Sequence, residues 1–140
     1  MTIRVGADKM KITIHENEDA IIAETIEKMD SIIEAATAEA RSKQIINVIF
    51  FKANNGNEIS LAVGGDETVL NFVYGDLEPP YFVSQGTTKE EKPVLTCHVT
   101  LEHHTEYPRS WVIPAAEGLN AVHGFFNTGE LPKSITWTQT

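Results

Sequence analysis

Positive charge is scarce in this chain. Lys and Arg together number 11 against 20 Asp and Glu in 140 residues, a net charge of −9. A protein so short of cations repels phosphate, which disfavours direct binding to nucleic acid or to an anionic membrane surface. Cysteine is nearly absent as well. The single Cys97 excludes an internal disulfide and a four-cysteine zinc site, and it suits a reducing compartment. Long apolar runs are missing: the longest, Val48 to Phe51, is strand-sized, far below the roughly 20 residues of a membrane helix. Residues 1–10 carry Arg4, Asp8 and Lys9 and show no apolar stretch of signal-peptide length, so a soluble, cytoplasmic protein is expected. There are no repeats and no low-complexity tract. Gly64-Gly65 lacks the later glycines and the lysine of a phosphate-binding loop, and no serine stands in a nucleophile-elbow pattern. Nothing calls for a cofactor.

What is present is an ordinary core-forming chain. Apolar residues make up 41%, enough to bury an interior, and no linker divides residues 1–140, so one domain is expected. Lys11 to His15 alternates polar and apolar residues, as a half-buried strand does. Ile22, Ile26, Met29, Ile33, Ala36 and Ala40 then recur at steps of three and four, the stripe of an amphipathic helix over about 18–41, with Asn17 as its N-cap. After it the period falls to two. Ile45–Lys52 and Ser60–Val63 flank the turn Asn54-Asn55-Gly56-Asn57 and read as a hairpin. Thr68–Tyr74, Tyr81–Ser84 and Val94–Leu101 are further strands, and Gln85–Lys92 is a polar loop. Pro114 is placed as the first residue of a second helix, with Leu119, Val122 and Phe126 on its buried stripe and Gly129 terminating it. Ser134–Gln139 alternates once more. The expected class is α+β: a mainly antiparallel sheet of about six strands with one long N-terminal helix and one C-terminal helix packed on it.

The inventory of reactive groups is thin. Cys97, His98, His103 and His104 are the best metal or acid–base candidates and motivate an alternative reading as a small metal-dependent hydrolase. Strand geometry sends Cys97 and His98 to opposite faces, however, and Cys97 alternates with Leu95, Val99 and Leu101, which points to burial. The paired carboxylates Asp66-Glu67, Glu90-Glu91 and Asp76 near Glu78 fall in turns and loops, where solvated surface is the ordinary outcome. Charge is unevenly spread. Residues 1–52 hold 7 basic and 9 acidic residues, net −2; residues 53–140 hold 4 basic and 11 acidic, net −7. The strand-rich part therefore carries most of the negative field, suited to steering a cationic partner.

Two stretches resemble a known family. Thr105-Glu106-Tyr107-Pro108, Val112-Ile113-Pro114, the Ala/Val/Phe helix through Phe126, Gly129, Pro132 and Ile135-Thr136-Trp137 are similar to the C-terminal signature of the first-numbered family of bacterial polymorphic-toxin immunity proteins. Leu70 to Gly75 and Tyr81-Phe82-Val83-Ser84-Gln85-Gly86 resemble its central segment. The likeness spans about residues 68–140, and the chain departs from the common form at His98, His103, His104 and Arg109. The resemblance implies a non-enzymatic antidote that binds and blocks a cognate toxin domain, often a nucleic-acid deaminase or nuclease. An acidic protein suits that role, because it can occupy a basic groove in place of phosphate. The motif residues themselves are core and punctuation. The partner-binding candidates are the acids and side chains of turns and loops: Asp66, Glu67, Asp76, Glu78, Glu102, His104 and Glu106, with Tyr81 or Trp111 as an aromatic anchor. The free form is expected to be a monomer.

Overall fold

A computed structural model describes residues 9–15, 18–100 and 102–140. The elements run β1 (Met10–Thr13), β2 (Ile21–Ala23), α1 (Ile26–Ser42), β3 (Asn47–Lys52), β4 (Glu58–Val63), β5 (Glu67–Thr68), β6 (Leu70–Val73), β7 (Phe82–Ser84), β8 (Leu95–Thr100), β9 (His103–Tyr107), a 3₁₀ turn (Arg109–Trp111), β10 (Ile113–Pro114), α2 (Ala115–Thr128) and β11 (Trp137–Gln139). The class is the expected α+β, with two helices and a mainly antiparallel sheet, but strands are more numerous than six. Nine form one sheet, ordered β11-β7-β6-β4-β3-β1-β2, with β8 attached to β3 and β9 to β8; β5 and β10 form a small second ladder.

The sheet separates two cores. Ile49 and Phe51 of β3, Ile59 and Leu61 of β4, and Leu70 and Phe72 of β6 meet Met29, Ile32, Ile33 and Ala36 of α1 and Ala121, Val122, Phe125 and Phe126 of α2. The alternate residues Val48, Phe50 and Ala62 instead meet Leu95 and Cys97 of β8, with Tyr107, Trp111 and Val112. Period-two alternation therefore buries β3 on both sides, the helices covering one face and the β8–β9 hairpin the other. Phe72 anchors the helical side, with T-shaped contacts to Tyr74 at 5.1 Å and Phe125 at 6.0 Å.

Several sequence expectations change. The helix does not begin near residue 18. Ile21–Ala23 pairs antiparallel with β1, Met10 opposite Ala23, and Ile22 is 43% exposed rather than part of the stripe. Thr25 is the observed N-cap, its hydroxyl accepting from the Lys28 N–H at 3.0 Å; the cap expected at Asn17 lies outside the described residues. A step of four residues from Ile22 to Ile26 suits a helix, but a β-branched pair lying along the free edge of β1 gains ladder bonds there instead. The strand expected over Thr68–Tyr74 breaks at Val69 because the Thr68 hydroxyl bonds both the N–H and the C=O of Ala62, taking the place of a ladder partner. Pro114 precedes the second helix rather than starting it, with φ −59° and ψ 142°, and it pairs with Glu67. On α2 the stripe shifts: Gly118, Ala121, Val122, Phe125 and Phe126 are buried, while Leu119 is half-buried. Gly129 does end the helix, at φ +70°. No helix among the described residues is long and apolar enough to cross a membrane.

Candidate functional site

The acids and anchors singled out in the sequence fall on three separate places. Asp66 and Glu67 lie just beyond the C-terminal end of β4. The Asp66 carbonyl accepts from the Ala115 N–H at 2.9 Å, which ties the turn to the start of α2. The Glu67 carboxylate is 2.7 Å from Nη1 of Arg109, whose Nε donates to the Pro93 carbonyl at 3.0 Å. A cleft of about 350 Å³ opens here between Asp66, Glu67 and Glu117 on one side and Gln85 to Thr87 on the other. It shares that loop with a second cleft of about 420 Å³, reached by Lys89, Ser110, Trp111 and Thr138. Trp111 is half-buried, 6.0 Å from Tyr107, so it is partly committed to the core beneath β8–β9.

Asp76, Glu78 and Tyr81 sit at the opposite end of the sheet, on the turn between β6 and β7. The Asp76 carboxylate accepts from the Glu78 N–H at 2.9 Å, and the Tyr81 hydroxyl donates to the Leu77 carbonyl at 2.9 Å. This turn rests on the β3–β4 turn: Asn57 Oδ1 accepts from the Gly75 N–H at 2.9 Å, and Gly75 abuts Asn55 and Gly56 so closely that an added Cβ would lie 2.7 Å from the Asn55 carbonyl. Among the described residues neither Asp76 nor Glu78 has an ion-pair partner.

Glu102, His104 and Glu106 occupy the β8–β9 hairpin, all exposed. His104 pairs with His98 across the ladder, ring centroids 6.1 Å apart. The hairpin shows why the histidines do not converge. His103 and His104 face solvent, whereas His98 is half-buried, its Nδ1 without a partner among the described residues. No group of three His, Cys, Asp or Glu residues among the described residues is arranged to hold a metal ion. Cys97 is fully buried, and burial pushes its thiol up to about 12, so at neutral pH it is protonated and inert.

Two residues belong to these surfaces that sequence alone did not single out. Glu117 joins Asp66 and Glu67 across a gap of fifty residues, and no local signal announces it. Leu77 is signalled only by its oddity, an apolar residue inside an acidic turn. The arrangement offers negative surface at both ends of the strands, with an apolar element on each; the His–carboxylate pairs among the described residues, His15 with Glu39 at 3.0 Å and His123 with Asp30 at 2.6 Å, involve none of these acids.

Comparison with curated proteins returns no match. The family model described as Immunity protein Imm1 matches residues 17–139, and the chain belongs to this family.

Proposed function

We propose that this protein binds a cognate toxin domain and neutralises it by occupancy, without catalysis of its own, and that its acidic surface is the contacting side. The observation that carries the reading is the Imm1 family match over residues 17–139, which supports an immunity role against a toxin. The charge of the chain supports the choice of partner. A net of −7 over residues 53–140 favours a basic toxin domain, and domains that act on nucleic acid, a deaminase or a nuclease, present such basic grooves. The antidote acts in the cytoplasm, as a monomer, and takes the place that phosphate would fill.

No observation favours the alternative of a metal-dependent hydrolase built on His98, His103 and His104, because two of the three rings point to solvent. The test is co-expression. The reading expects a toxin-like C-terminal domain to be encoded beside this chain's gene, and cells carrying that domain should grow when the chain is present and die without it. Failure to protect against that neighbouring domain removes the reading.

A further inference from the structure

We infer that the turn between β6 and β7 is a preformed knob, with Leu77 at its centre and Asp76, Glu78 and Tyr81 around it, that inserts into an apolar depression ringed by Lys or Arg on the partner. The inference rests on the immunity reading and names the surface and the chemistry that the partner must offer.

Leu77 breaks two rules at once. It is 69% exposed, the most exposed of the large hydrophobic side chains among the described residues, and its φ is +62°, in the left-handed region that a branched apolar residue rarely adopts. The other non-glycine residue with positive φ among the described residues, Gln44 at +56°, has a local explanation: it follows the end of α1, where its N–H and that of Ile45 bond the last carbonyls of the helix. Leu77 closes a turn in the same way, but its side chain is apolar and gains no burial from it. Its N–H closes the turn onto the Tyr74 carbonyl at 2.9 Å, a bond that glycine at the same position would make with less strain. A side chain that costs the fold in both conformation and exposure is accounted for by a contact outside the fold.

The turn is also held rigid. The Tyr81 hydroxyl and the Asp76 carboxylate each bond its backbone at 2.9 Å, and Asn57 fastens it through Gly75. A knob ordered beforehand loses little entropy on binding. Its surroundings decide the sign of the partner. Residues 74–84 contain no Lys or Arg, and the neighbours bonded to or packed against the turn, Asn55, Gly56, Asn57 and Thr140, carry no positive side chain. At the other end of the sheet Glu67 is already engaged by Arg109. An apolar centre with an unneutralised acidic rim is complementary to a basic protein surface with an apolar pocket.

The experiment uses the full chain and the catalytically inactivated toxin domain encoded by the neighbouring gene. Leu77→Gly removes the side chain while relieving the backbone, so its melting temperature should hold or rise, yet binding by calorimetry should weaken by about tenfold or more. Glu78→Gln should weaken binding and Glu34→Gln, on the exposed side of α1, should not. Wild-type binding with Leu77→Gly within about threefold of it overturns the inference and leaves the immunity reading standing. Equal losses from Glu78→Gln and Glu34→Gln also overturn it, because total charge rather than this turn would then carry the binding. A wild-type chain that neither binds the domain nor protects cells from it overturns both.

Discussion

Thr68 shows how one hydroxyl can stand in for a strand. It is fully buried, and it donates to the Ala62 carbonyl at 2.8 Å while accepting from the Ala62 N–H at 3.0 Å. Thr68→Val keeps the shape and leaves two buried backbone groups unpaired, each worth about 1–3 kcal/mol. Urea unfolding should show a loss of about 2–4 kcal/mol in a lower midpoint at unchanged slope. Cys97 offers a second check. Its folded pKa of about 12 exceeds the ordinary 9.0, so between those values the unfolded chain releases a proton that the folded chain keeps. Stability is therefore unaffected by this group below pH 9 and falls as pH rises from 9 towards 12. At neutral pH the native thiol should resist iodoacetamide, with alkylation appearing only as the protein unfolds in denaturant. Tyr107, raised chiefly by its own burial, adds to the same alkaline loss.

The elements differ in how openly the residues announce them. The β3–β4 turn and the end of α2 were legible because each depends on a local requirement: Gly56 and Gly129 take φ of +88° and +70°, which glycine adopts without strain. Strand β9 was not legible. Its residues His103 to Tyr107 are mostly polar and mostly exposed, so no alternation marks them; pairing with β8 recruits them. The two-residue β10 exists only because β5 lies beside it. Helix α2 and the sheet meet at Gly118, where an added Cβ would lie 2.5 Å from Thr68 Cγ2 and 3.0 Å from Leu61 and Leu70. Alanine there gains about 1 kcal/mol of helix propensity but forces α2 off β4 and β5. Overpacking of this kind costs about 1–3 kcal/mol, and Thr68 cannot yield without giving up its bonds to Ala62. Gly118→Ala should lower the melting temperature by several degrees in a thermal scan.

At the scale of the molecule, charge and topology act together. A net of −9 sets a long-range attraction for a basic partner that salt screens within about 10 Å at 0.1 M. Raising the salt from about 0.05 M to about 0.5 M should therefore slow association with the proposed toxin partner by about tenfold or more, while dissociation changes little. Stopped-flow mixing at a series of salt concentrations measures both. Should dissociation carry the whole effect instead, steering by the acidic surface is not how the partner is found. The surface is divided, with Asp66 and Glu67 at one end of the sheet and Asp76, Glu78 and Tyr81 at the other, so the partner's footprint decides which acids it feels most closely.

The sequence alone determined the α+β class, the acidity and its concentration after residue 52, both helix stripes in outline, the burial of Cys97 and the likeness to an immunity family. Each of these depends on composition, on periodicity over a few positions, or on the order of short motifs along the chain. Tertiary structure decided what depends on distant segments meeting. It turned Ile21–Ala23 from helix into an edge strand through pairing with β1. It folded β8 and β9 across the back of the sheet, and it brought Glu117 beside Asp66 and Glu67. It also sent the candidate acids to opposite ends of one sheet, because strand direction, and not spacing in the chain, sets which end a turn occupies.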